Sequence, residues 1–131
     1  MRIRECVIEG FRGLKAVTWT PDALSLVEGD GALDLHRGLQ LLSRASQGWS
    51  TFAEAMQAEG ATEAAFWHPE AIEARWVVRV APHEEAEMDF SYELIAERLE
   101  ATPWWVVGYE RADLVTDFEH TPLLERIGDR V

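Results

Sequence analysis

The residues best suited to chemistry lie in "EGDGALDLH", Glu28 to His36, where glycines and carboxylates precede an apolar, helix-like run. Gly29 and Gly31 could let backbone N–H groups turn toward an anion, and the positive end of the following helix would help to hold it. A nucleoside triphosphate also needs a lysine on its outer phosphates and a hydroxyl for magnesium. Asp34 or Leu35 stands where that lysine belongs, and Leu35 or His36 where the hydroxyl belongs. The only lysine of the chain, Lys15, falls in a different element. Glu28, Asp30 and Asp34 would repel a triphosphate, and Asp34 at the helix start is expected to cap the N–H groups a phosphate would use. The loop therefore has the layout of a nucleotide site without its chemistry. No catalytic residue and no cofactor are expected.

Other chemistry is weakly represented. His36, His68, His83 and His120 form no metal-ligand spacing with one another or with the single cysteine, so no metal is expected. Ser25, Ser43, Ser46 and Ser50 occupy no nucleophile elbow, and "GDG" lacks the alternating ligands of a calcium loop. Cys6 cannot form an internal disulfide; within an apolar strand-like run it reads as a core thiol in a cytoplasmic protein. The amino terminus has no long apolar core of a signal peptide, and no run reaches the ~20 apolar residues of a membrane span.

With 131 residues, 47% hydrophobic and 27% charged, the chain suits one ordinary globular domain over residues 1–131. Its formal net charge is -12, all of it from residues 45–131, where six basic side chains face eighteen acidic ones. Such a surface repels phosphate backbones, so direct nucleic-acid binding is not expected. Glu84, Glu85, Glu87 and Asp89 form the densest acidic stretch, and "PWWVV" supplies Trp104 and Trp105, which a strand would point to opposite faces. An exposed tryptophan beside carboxylates would make an interface anchor for a basic partner.

The elements that must position these residues follow from periodicity. Ile3, Val7 and Ile8 mark a strand ending at Gly10, the turn "GFRGL" leads to the strand "KAVTW", and "ALSLVE" reads as a nearly continuous apolar strand into the glycine loop. Leu35, Leu39 and Leu42 recur as the core face of a helix that Gly38 weakens by roughly 1 kcal/mol. A second helix is expected near "STFAEAMQAEG", with Thr51 and Glu54 at capping-box spacing. Alternation then predicts two half-wet antiparallel strands, with Ile72, Ala74, Trp76, Val78 and Val80 inward on the first and Met88, Phe90, Tyr92 and Leu94 inward on the second. The outward Arg75 and Arg79 could face the acids of the second strand. "WWVVGYE" is a further strand, with a separate extended piece at "RADLV".

The stretch "MRIRECVIEGFRGLKAVTWTPDALSLVEGDGALDLHRGLQLLSRA" resembles the amino-terminal lobe of SMC/RecF-like ABC-type ATPases, including the OLD-type ATPases of bacterial defence. Phe11, Arg12, Gly13 and Leu14 match a turn of that family, with Gly10 in place of the usual asparagine. "FAEAMQAEGATEAAFW" is similar to the segment after the family's phosphate-loop helix, and "HTPLLERIGDRV" resembles a later strand–turn–strand. The family's paired-acid strand, "LSGG" signature and histidine switch are absent from residues 1–131.

The resemblance implies an α+β fold, largely antiparallel with two helices. Residues 1–45 would be a degenerate P-loop-like strand–turn–helix unit, and 46–131 a helix plus antiparallel strands. It implies a non-catalytic, ATPase-like domain that binds a protein partner or oligomerises, as a regulatory subunit of a DNA-maintenance or defence ATPase. Two alternatives are an acidic inhibitor mimicking nucleic acid and half of a split ATPase completed by another chain.

Overall fold

Strand-forming residues in alternation with charges build a single sheet, whose one long connection, residues 20–72, carries a helix. The computed structural model describes residues 2–22, 31–45, 73–98 and 105–127, together with Leu26, Glu28, Gly29, Gln47 and Glu54. β1 (Arg2–Phe11) and β2 (Leu14–Trp19) form a hairpin, α1 (Ala32–Ala45) follows, and β3 (Glu73–Ala81), β4 (Asp89–Arg98), β5 (Trp105–Val115) and β6 (His120–Ile127) complete the described elements. The sheet order is β2-β1-β3-β4-β5-β6, and every neighbouring pair is antiparallel.

This corrects the expected α+β fold with two helices: six antiparallel strands dominate, with one helix among the described residues. The physical reason is that antiparallel neighbours satisfy each other's backbone groups across the whole sheet, and α1, in the long connection between β2 and β3, covers one face of it. Of the expected second helix only Glu54 is among the described residues, and it is helical. β5 runs unbroken through both "WVVGYE" and "RADLV", which had read as separate pieces. β6 passes through Pro122, tolerated because this edge strand needs no donor there and its register shifts beside that residue. The apolar strand expected to feed the glycine loop is not found where it can be seen. Leu26 lies in no strand and is 85% exposed, while Leu24, Ser25 and Val27 are outside the described residues.

The core occupies the face covered by α1. Cys6 and Ile8 of β1, Ala74 and Trp76 of β3, Leu94 and Ala96 of β4, and Val107 of β5 meet Leu35, Leu41 and Leu42 of the helix. Leu39 packs against this cluster half-buried. Gly38, which weakens the helix intrinsically, has a packing reason: a Cβ there would lie 2.7 Å from Ile8 Cδ1 and 3.5 Å from both Phe11 Cδ1 and Trp76 Nε1. The glycine lets the helix approach the sheet closely.

Gly10 has a second role. Strict alternation from Ile8 would send Phe11 to the opposite face. Gly10 adopts φ 71°, and Phe11 is instead fully buried with its ring 5.5 Å from that of Trp76.

The opposite face carries the charges, and the expected pairing across β3 and β4 is present. Arg75 Nε donates to Glu93 at 2.7 Å and Arg79 to Asp89 at 3.1 Å. Both pairs run diagonally, since Arg75 stands directly opposite Ile95 and Arg79 opposite Ser91. Half-exposed, they contribute at most about 1 kcal/mol each.

Cys6 is the expected core thiol, 1% exposed. Burial, and then the charge of Glu5, push its pKa from 9.0 up to about 11. The folded state thus keeps a proton that the unfolded chain loses. This contribution to stability is complete below the unfolded pKa and is lost as pH rises through about 11. Urea denaturation is expected to show stability lower by about 1 kcal/mol at about pH 10 than at about pH 8 from this group. Cys6→Ala should lose that part of the slope; an unchanged slope would remove the thiol from the account.

Candidate functional site

The sequence singled out Phe11, Arg12 and Gly13 in one turn, and Gly29, Asp30, Gly31 and Asp34 in another. The structure joins part of the two sets. Arg12 and Gly13 connect β1 to β2 between the paired residues Phe11 and Leu14. Arg12 adopts φ 49°, a left-handed conformation that a residue with a side chain rarely takes. Asp34, in the first turn of α1, reaches this connection. Its Oδ1 accepts from Arg12 Nε at 3.1 Å, and its Oδ2 accepts from the Gly13 backbone N–H at 3.1 Å.

This corrects the expected role of Asp34. The carboxylate clasps the hairpin instead of capping its own helix. The head of the helix is closed locally: Ala32 N–H donates to Gly29 O at 3.2 Å and Leu35 N–H to Gly31 O at 2.9 Å. Gly29 takes φ 104°, which suits a turn into the helix. A Cβ at Gly31 would touch Leu14 Cδ2 at 3.4 Å, so the loop packs on the hairpin. Asp30 is outside the described residues. A negative carboxylate, already held by a guanidinium and an N–H, stands where an incoming phosphate would need free donors. Phe11 belongs to the core, not to a ligand surface.

Asp34→Ala is expected to lower stability by about 1 kcal/mol, because it removes the carboxylate bonds to Arg12 and to the Gly13 N–H, of which the exposed N–H can turn to water. Thermal and urea unfolding would measure this. A change under about 0.5 kcal/mol would reduce the clasp to a surface contact.

The candidate interface residues are not brought together. Glu84, Glu85, Glu87 and Asp89 sit at the β3–β4 turn, whereas Trp105 pairs with Arg98 at the far end of β4. Nine residue steps of strand separate the ends, roughly 30 Å. Trp104 is outside the described residues. The acidic stretch is also partly neutralised: Glu84 pairs with Arg2, and Asp89 with Arg79 at 3.1 Å and Arg4 at 3.5 Å.

Two polar clusters were not anticipated. Glu110 is 6% exposed on the helix side of β5, accepting from Tyr92 Oη at 2.7 Å, with Arg126 at 3.6 Å. Burial, then the bond to Glu110, raise the Tyr92 pKa. Simple alternation from Val107 would have put Tyr109 on that side. The register shift opposite Ile95 and Ala96 places Gly108 as the extra residue and turns Glu110 inward.

The other cluster surrounds a pocket of about 250 Å³ where β1, β3, β4 and β5 end, lined by Arg4, Arg79, Glu87, Asp89, Thr116 and Asp117 among others. The only sequence signal for it was the facing of Arg79 and Asp89. Among the described residues no group of three or more His, Cys, Asp or Glu could hold a metal ion. No described helix is long and apolar enough to cross a membrane. Compared with known proteins, the chain matches no family model, no characterised protein and no solved structure.

Proposed function

We propose that this chain works by binding another protein, as a non-catalytic subunit, and not by turning over a nucleotide. The observation that carries this reading is the Asp34 clasp: the helix start most suited to phosphate holds a carboxylate engaged by Arg12 and Gly13. The resemblance of residues 1–45 to SMC/RecF/OLD-like ATPases supplies the class of partner, a complete ATPase of DNA maintenance or defence with its own phosphate-loop lysine. The buried free thiol of Cys6 fits a reducing, cytoplasmic setting. A split-ATPase reading is less favoured, because the partner's lysine would have to reach a helix start where Asp34 is already paired. The acidic-mimic reading is also less favoured, since arginines of this chain hold Glu84 and Asp89.

Two measurements test the proposal. Mg-ATP titrated against the intrinsic fluorescence of the six tryptophans should give no saturable change to about 1 mM. Purification from the native host at moderate salt should recover an ATPase subunit in stoichiometric amount. Tight ATP binding would overturn the non-nucleotide part, and recovery of the chain alone as a monomer would overturn the subunit part.

A further inference from the structure

The pocket at the end of the sheet has a charge layering that the proposed function does not use. Its floor holds two arginines and one carboxylate. Asp89, with its side chain 15% exposed, lies 3.1 Å from Arg79 and 3.5 Å from Arg4. Arg4 is committed to the protein, since one terminal nitrogen donates to the Glu84 and Ala86 carbonyls at 2.8 and 3.3 Å. This braces the β3–β4 turn against β1. Arg79 is different. Its side chain is 43% exposed, one terminal nitrogen meets Asp89, and its Nε, closed off from solvent, meets no acceptor. That Nε is closed to a ligand as well, but a guanidinium carries five donors and only one terminal N–H is taken by Asp89, so the exposed end of Arg79 brings donor capacity to a concave surface.

The lip has the opposite sign. Glu87 and Asp117 line the same pocket, are exposed, and form no ion pair among the described residues. A simple anion would gain the Arg79 fork but would meet these two carboxylates on a protein of net charge -12. A simple cation would meet the lip but face two guanidinia beneath it. The geometry points to a binding site for a small zwitterion of the amino-acid class, with its carboxylate on Arg79 and its ammonium at Glu87 and Asp117. A volume of about 250 Å³ equals roughly eight waters, room for a molecule of this class.

The test uses three molecules of nearly one shape: γ-aminobutyrate, butyrate and butylamine. Each is titrated into isotopically labelled full-length protein while amide shifts are followed by NMR. γ-Aminobutyrate is expected to shift the amides of Glu87, Thr116 and Asp117 with a dissociation constant on the order of 1 mM, and the other two to bind at least roughly tenfold more weakly. Arg79→Gln should weaken γ-aminobutyrate at least tenfold and leave butylamine unchanged. Asp117→Asn, a change on an exposed turn, provides a variant whose fold is not at risk and should remove most of the preference over butyrate. Equal binding of butyrate and γ-aminobutyrate would overturn the zwitterion assignment. The absence of any localised shift by about 20 mM γ-aminobutyrate would overturn the site itself.

Discussion

Gly10→Ala is expected to remove the native fold at room temperature, or to lower stability by about 3 kcal/mol or more. Two costs combine at this position. An alanine at φ 71° carries left-handed strain on the order of 1 kcal/mol, and its Cβ would stand 2.5 Å from the Glu73 carbonyl oxygen. That oxygen is backbone at the start of β3, so neither partner can yield by a rotamer change. β1 would have to move away from β3, opening the pairs Ile8↔Trp76 and Glu9↔Arg75. Asparagine tolerates a left-handed φ but carries the same Cβ, so Gly10→Asn should do no better. This site therefore does not accept the residue that the family resemblance would put there. Circular dichroism and urea denaturation provide the measurement. A variant within about 1 kcal/mol of the parent would mean that β1 does not approach β3 as described.

The second large effect is expected at Trp76. Its side chain is fully buried, paired in register with Ile8 on one side and Leu94 on the other, with Phe11 tilted at 55° against it. Trp76→Ala leaves a cavity beneath Gly38 and should cost about 3–5 kcal/mol. For a domain whose whole stability is typically about 5–15 kcal/mol, that brings the protein near unfolding. Trp76→Phe keeps most of the contact and should cost less than half as much. Chemical denaturation of both variants gives the comparison. Equal losses would indicate a polar role for the indole in place of packing. Because Gly10 positions Phe11 against Trp76, the effects of the two sites should not add.

The candidate site was legible only as a set of residue types. The absence of a phosphate-loop lysine could be read directly, and so could the unsuitability of Asp34 for a phosphate. What Asp34 does instead could not be read, because its partners lie 21 and 22 positions earlier in the chain. Helix-capping preferences describe a residue's own helix and carry no information about a hairpin packed beside it. The acidic stretch and the tryptophans looked like one surface because they are near in sequence, yet an extended strand carries its two ends far apart.

Alternation determined the inward Ala74, Trp76 and Leu94 of β3 and β4 and the salt-bridged outer face, and an apolar run placed Cys6 in the core; Met88 and Phe90, expected on the inward face, lie beyond the core cluster and are exposed. A period of two, with one wet side, leaves a regular strand a single sensible orientation. Tertiary structure decided the places where that period breaks. A left-handed glycine turns Phe11 into the core, and an extra residue at Gly108 turns Glu110 inward. It also decided the dominance of the sheet and the order β2-β1-β3-β4-β5-β6, since pairing across distant segments depends on which edges meet. Gly38 shows the division in a single residue. Local propensity shows only a weakened helix, whereas the sheet beneath it requires the absence of a side chain.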